Sequence, residues 1–394
     1  MFAHLFTLIW NKKKQNLLLI SEILVSFLVI FGVFSLITYD YLNYKKPMGF
    51  DYERVWVVNY SNPLETKSND SVTLYYENLR QTLKAMPQVK EVSFTSGNFP
   101  FSNSTNATGL RHNGVVYSRI NNFTVDDQYK EAINLKLLEG RWFNKLDAAA
   151  KDRPILINES LKEAVFGKEA AVGKYMNDWE EKNKLKIIGV VQDVKMKGDY
   201  TTIGNAVFNR IDSGAFHWLG NMLIKVTGDA DAAFESRLYK VLAGSMKNAN
   251  IEIGHLSNLR VSKNKAFLVP LIVISIVAGF LIINVALGLF GVLWYNINKR
   301  RGEIGLRRAI GASGKSVSLQ LVTETMILST LSLIIGAFFA IQFPILRVGD
   351  IDASVYLTAL LLSILFIYLL VLVCSLYPGR QAAAIQPAVA LHEE

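Results

Sequence analysis

Four apolar runs, each long enough to cross a bilayer, restrict this chain to the folds open to integral membrane proteins. The first extends from Leu17 to about Tyr39; the others cover about Ala266–Tyr295, Val317–Phe343 and Ser354–Tyr377. About twenty apolar residues span the hydrocarbon core. A backbone crossing it must satisfy its own hydrogen bonds, so each run is expected to be a helix. The expected fold class is therefore integral membrane α-helical, four transmembrane helices in a one-plus-three arrangement, with a large α+β extracytoplasmic domain inserted between helices 1 and 2. Lys12, Lys13 and Lys14 precede the first run, and no small-residue cleavage site follows it. It reads as a retained helix and not as a secretory signal.

The charge fixes the expected orientation. The net charge is +9, but much of the excess lies beside apolar runs, and no aromatic-plus-basic motif accompanies it. That placement argues against nucleic acid as a partner. The segment joining helices 2 and 3, residues 298–316, carries Lys299, Arg300, Arg301, Arg307, Arg308 and Lys315 against a single acid, Glu303. Cationic loops stay in the cytoplasm. The expected layout is a cytoplasmic segment 1–16, helix 1 over 17–41, an outer domain over 42–264 and a membrane domain over 265–394 with helices at 266–295, 317–343 and 354–377. Both termini then lie in the cytoplasm. The one cysteine, Cys374, excludes an intrachain disulfide, and the five histidines lack metal-ligand spacing.

Two acids and one asparagine inside the runs stand out. Glu22 and Glu324 lie about 8–11 Å from the cytoplasmic ends of their helices at 1.5 Å per residue. An intramembrane carboxylate is a functional candidate by default. With neither at the midplane, a carboxylate that reaches the cytoplasmic interface, or bonds a neighbouring helix or the basic segment, is the favoured reading over an ion relay. Asn284 is nearer the middle and is expected to bond across helices.

In the outer domain, RVWVVNY (Arg54–Tyr60) alternates as a strand. The run Ser71–Met86 has helical spacing and stops before Pro87, and Lys184–Val194 reads as a buried strand. NESLKEAVFG (Asn158–Gly167) opens on an N-cap residue and closes on glycine. AIGASGKS (Ala309–Ser316) approaches a phosphate-binding loop, but Ala309 replaces the first glycine and no buried strand precedes it. No H-E-x-x-H or G-x-S-x-G motif is present. An enzyme is not expected.

EIGLRRAIGAS (Glu303–Ser313) and LYPGRQAAAIQPAVAL (Leu376–Leu391) resemble the cytoplasmic motifs of MacB/FtsX-type ABC transporter permeases. INLKLLEGRWF (Ile133–Phe143), PILINESLKEAVFG (Pro154–Gly167), AVGKYM (Ala171–Met176) and IIGVVQDVKMKG (Ile187–Gly198) resemble that family's periplasmic domain. The tail departs from the usual pattern at Gly379-Arg380-Gln381, and lysines stand before helix 1 where arginines are usual. The resemblance implies a permease subunit that works as a homo- or heterodimer with two copies of a separate ABC ATPase. ATP and magnesium would be bound by that partner, and no cofactor by this chain. It also implies that Arg300, Arg301, Glu303, Ile304, Gly305, Leu306, Arg307, Arg308, Gly311, Ala312 and Ser313 couple to the ATPase, with Pro378, Gly379 and Arg380 in a second cytoplasmic motif. If the coupling segment is helical, Glu303 and Arg307 share a face and Gly311 ends the helix. Reversing charge at Arg307 and Arg308 is then expected to cost ATPase binding.

Charge alone equally allows these arginines to anchor lipid head groups. Export with a periplasmic adaptor and an outer-membrane channel is the leading expectation for the whole assembly. The alternatives are a mechanical transducer that regulates a partner such as a cell-wall hydrolase, and release of lipoproteins from the inner membrane.

Overall fold

The computed structural model of the protein describes residues 13–385 except 62, 63, 65, 66 and 178–183. Lys12, most of the expected segment 1–16, and Gln386–Leu391 of the tail motif lie outside the described residues. The helices of eight residues or more are α1 (Lys13–Lys45), α2 (Asn69–Lys84), α3 (Glu159–Phe166), α4 (Ala232–Ser245), α5 (Leu256–Lys299), α6 (Arg301–Ala309), α7 (Gly314–Ala340) and α8 (Ala353–Ala384). The strands are β1 (Val55–Tyr60), β2 (Val89–Thr95), β3 (Ala107–His112), β4 (Val115–Val125), β5 (Leu137–Gly140), β6 (Arg153–Asn158), β7 (Tyr175–Met176), β8 (Leu185–Val191), β9 (Ala206–Arg210), β10 (Asn221–Val226) and β11 (Ile251–His255). They form two compact units: Asn43–Phe267, and a helical unit made of the chain up to Leu42 and from Leu268 onward.

The first unit is α+β. Its sheet runs β11-β1-β10-β2-β4-β9-β6-β8-β5, with β3 on β4 and β7 on β8. The order divides at one place, because β2 and β4 share a single paired position, Thr95 with Val125. On one side β11, β1, β10 and β2 are all antiparallel. On the other, β4 with β9 and β6 with β8 are parallel.

Local chemistry places the helices. The Ser68 side chain accepts from the Ser71 N–H to start α2, Asn158 does the same for Leu161 in α3, and Asp231 for Phe234 in α4. Gly167, at φ +59°, ends α3 where a Cβ would be strained. Tyr76, Leu79 and Leu83 of α2 and Phe234, Leu238 and Leu242 of α4 bury against Trp56, Val58 and Phe94 of the antiparallel half. Leu161 and Phe166 of α3 bury against Ile155, Ile187 and Val207 of the other half. Val55 and Val57 point to a third core on the opposite face, so β1 is buried on both faces.

A surface ion pair in this unit carries a pH prediction. Arg141 donates to Asp147 at 2.6 and 2.7 Å, and the Asn144 N–H donates at 2.9 Å. The guanidinium bonds hold the Asp147 carboxyl below the usual carboxylate range. A depressed acid stabilises the fold at neutral pH and loses that contribution as pH falls through its folded value. Thermal melts below about pH 4 should fall less steeply for Asp147→Asn than for the wild type.

Among the described residues, four helices are long and apolar enough to cross a membrane, spanning 19–45, 256–299, 314–345 and 353–384, and most of each lies in the second unit. Leu19, Ile23, Phe27 and Phe31 of α1 pack with Leu328 and Leu333 of α7 and with Tyr356, Ala359 and Ile367 of α8. One side of the apolar part of α5 is exposed, with Ile272, Ile276, Phe280 and Ile283 all facing outward, while Leu289 is buried in the helical core. Three features differ from the sequence expectations. Helix α5 begins at Leu256, ten residues before its apolar run, because its polar first turns pack inside the α+β unit. Helix α8 runs on through Pro378 to Ala384, with Pro378 and Gly379 buried. Asn284 is exposed, and its Nδ2 donates along its own helix to the Phe280 carbonyl at 2.8 Å instead of across helices, since it lies on the exposed side of α5 while Ile282 and Val285 pack toward the other helices.

Candidate functional site

The cationic segment between α5 and α7 folds as α6. Nine residues make a helix only with tertiary support. Ile304 (5% exposed) supplies it, forming a small core with Ile297 of α5, Val317 of α7 and Ala382 of α8. Gly305 is buried as well. Arg300 stands between α5 and α6 in a non-helical conformation, its carbonyl taking the Ile304 N–H. At the far end Gly311, at φ +103°, allows its own N–H to reach the Arg308 carbonyl and that of Ala312 to reach Arg307. Ala312 packs on the small core, and Ser313 caps α7 by accepting from the Ser316 N–H at 3.2 Å.

The charged side chains form a closed ring. Arg300 bonds Glu324 at 2.8 Å and Glu303 at 3.1 Å. Gln320 donates to Glu324 at 3.0 Å and accepts from Arg307 at 2.9 Å, and Arg307 returns to Glu303 at 2.6 Å. Arg308 donates to the Ala383 carbonyl on α8. Gly314 lets this corner close, since a Cβ there would lie 2.8 Å from that same carbonyl oxygen. Three arginines of the segment are thus engaged with the helices to which α6 is joined. Glu324 has its partner in the basic segment, and a hydrogen-bonded ion pair explains an acid at that depth without a relay.

Glu22 is half-buried, its carboxyl lodged where a Cβ on Gly288 of α5 would overlap it. It does not join the ring. Arg301 is half-buried, and Arg380 is exposed near the end of α8. The outward side of α6 and its C-terminal cap carries Leu306, 55% exposed, and Ile310, 79% exposed, with Gly302 and Ala309 beside them and the exposed Glu303 at its rim. Sequence reasoning missed Gln320, although its place four residues before Glu324 on one helix was the available signal.

Opening the ring at its buried member should cost more than opening it at the rim. Glu324→Ala leaves the guanidinium of Arg300 (12% exposed) short of its closest acid. It should lower stability in detergent by about 1–3 kcal/mol, whereas Glu303→Ala, at an exposed residue, should cost under about 1 kcal/mol. Melting temperatures of the two variants would test the order.

A model of the FtsX-like permease C-terminal domain matches residues 275–387, and one of the MacB-like periplasmic core domain matches residues 20–240. The chain is 25% identical over 267 residues to the macrolide export ATP-binding/permease protein MacB 1/2 of Paracoccus denitrificans (strain Pd 1222), covering 66% of this chain and 38% of that protein. It spans less than half the length of the MacB proteins it matches. The uncharacterized ABC transporter permease YvrN of Bacillus subtilis (strain 168) is 21% identical over 422 residues, covering 99% of this chain and 98% of that one. The crystal structure of the periplasmic region of MacB from Actinobacillus actinomycetemcomitans aligns with 54% of this chain and 93% of that one at 16% identity and a TM-score of 0.38.

Proposed function

The chain belongs to the MacB/FtsX-type ABC transporter permeases, and from that membership we propose that it is the membrane subunit through which a separate ATPase drives movement of the α+β domain. One observation carries the proposal. Helix α6 turns Leu306 and Ile310 outward while Arg300, Arg307 and Arg308 bind it to the adjoining helices. A force applied to Leu306 and Ile310 passes through short charge-assisted bonds into α7 and α8, and through the chain at Arg300 into α5, and is not lost in bending α6. The excess of cations in residues 298–316 supports a cytoplasmic location for α6 and both termini, with the α+β domain periplasmic in the inner membrane. Two ATPase copies would serve a dimer of permeases, ATP and magnesium being held by the ATPase.

The match of residues 20–240 to the periplasmic core of MacB supports export as the work done, with a periplasmic adaptor and an outer-membrane channel as the further partners. The test is purification of the tagged protein from its native membrane in mild detergent, with mass spectrometry of what accompanies it. An ABC ATPase in stoichiometric amount, together with an adaptor, is the expected result. A cell-wall hydrolase or a lipoprotein carrier in the adaptor's place would replace export with one of those roles. An intact permease dimer without any ATPase would overturn the proposal.

A further inference from the structure

The last turn of α1, Asn43–Lys45, and the first three turns of α5, to Phe267, belong to the α+β unit. Both membrane-length helices are thus rooted in it, and one segment after β8 touches both roots. Lys195 is 1% exposed. Its Nζ donates to the Asn43 carbonyl at 2.6 Å and the Asp199 carbonyl at 3.0 Å, and its N–H donates to the Met48 carbonyl at 2.9 Å. Asp199 is 4% exposed. Its carboxylate takes Arg260 Nε at 2.9 Å, Arg260 Nη2 at 2.6 Å and Asn264 Nδ2 at 2.8 Å, all from α5. The Asp199 N–H donates to Asn264 Oδ1 at 3.1 Å. The remaining Arg260 Nη1 donates to the Tyr52 hydroxyl at 2.6 Å, and the guanidinium lies 4.5 Å above that ring.

The energetics of this arrangement are unusual. An ammonium with almost no water contact and only main-chain carbonyls for direct partners is costly, and desolvation pushes the Lys195 pKa down. Its position gives a return, because carbonyls in the last turn of a helix carry partial negative charge, and Asn43 is in the last turn of α1. Four residues further on, Asp199 meets α5 with a bidentate pair and an amide, the strongest geometry these side chains offer. An apolar contact would pack either helix equally well but would let it slide along its axis. Directional bonds to both roots fix them.

We propose that Lys195 and Asp199 are positioning residues that clasp the roots of α1 and α5 to one another through the β8–β9 connection, so that the two roots and the α+β domain they belong to move as one body. This rests on the permease reading for its purpose but not for its geometry. The test uses the full chain carrying Cys374→Ser, with spin labels at Lys46→Cys and Lys265→Cys on the two roots, and reads their separation by electron double resonance. A single narrow distance is expected for the parent protein. Lys195→Met and Asp199→Asn should each broaden or split it, and so should Asn264→Ala, which removes two of the bonds without stranding a buried charge. Exchanging the pair as Asp199→Arg with Arg260→Asp should narrow it again. An unchanged narrow distance in Lys195→Met and in Asn264→Ala would overturn the clasp. A distance that stays narrow in the parent whether or not its ATPase is trapped with nucleotide supports the clasp. A label on the domain that does not move with nucleotide, in that same sample, would instead sink the permease reading.

Discussion

With both Leu306 and Ile310 replaced by glutamate, the protein should reach the membrane and remain folded while losing its ATPase. The two side chains are exposed and make no part of the small core under α6, so removing them costs the fold little. Burying each against a partner is worth about 1.5–3 kcal/mol. Losing both, with a charge introduced at each site, should weaken binding at least about a hundredfold. Co-purification of the ATPase measures this directly. The contrasting variant is Arg307→Glu with Arg308→Glu. It breaks the ring at Glu303 and Gln320 and frees the end of α8, so its first effect should be a lower melting temperature. If the arginine variant alone sheds the ATPase and the glutamate pair at 306 and 310 retains it, the docking face is cationic and the apolar face is not used.

The largest effect on stability should come from Asp126→Ala. Asp126 sits just past the single paired position that joins the two halves of the sheet. It accepts from the Phe94 N–H at 2.7 Å, the Ser93 hydroxyl at 2.6 Å, the Gln128 N–H at 3.2 Å and Arg80 at 2.8 Å. The Arg80 side chain is 5% exposed and that of Asp126 7%. Removing the acid leaves a buried guanidinium with only the half-exposed Glu77 to balance it, a situation that costs about 3–5 kcal/mol. Arg80→Met combined with Asp126→Ala should recover much of the loss, because the stranded charge is gone. Unfolding followed by the fluorescence of Trp56, buried in the same half, would compare the variants. Equal stability of Asp126→Ala and wild type would mean that water reaches Arg80.

The membrane helices were legible because an apolar run of about twenty residues matches the thickness of a bilayer and exceeds what a buried strand or core helix needs. The caps at Asn158 and Gly167 were legible because each acts on backbone groups within three or four residues. What escaped depended on distant partners. The first turns of α5 fell within the outer domain and outside the apolar run, since Arg260 and Asn264 look like solvated residues until Asp199 is placed against them. The last apolar run stops at Tyr377, yet α8 continues past Pro378, packed at its end against α6 and α7. The arginines of the EIGLRRAIGAS string announced a site, but only the positions of Gln320, Glu324 and Ala383 tell which way they turn. Pairing of β1 with β10 and β11 joins segments more than 160 residues apart, and no local pattern encodes that register.

The single paired position between β2 and β4 also bears on the order in which the chain can be made. Strands β3 to β9 come from one uninterrupted stretch, residues 107–210, and pair among themselves. β1 and β2 are synthesised earlier but are not neighbours, since β10 lies between them, and β11 completes the other edge of β1. A nascent chain that has released residue 210 can therefore hold a finished half-sheet while two apolar strands still wait with bare edges, a state open to mispairing. The earliest strands of the domain are the last to be satisfied, and a ribosome that stalled just after β9 would leave them exposed.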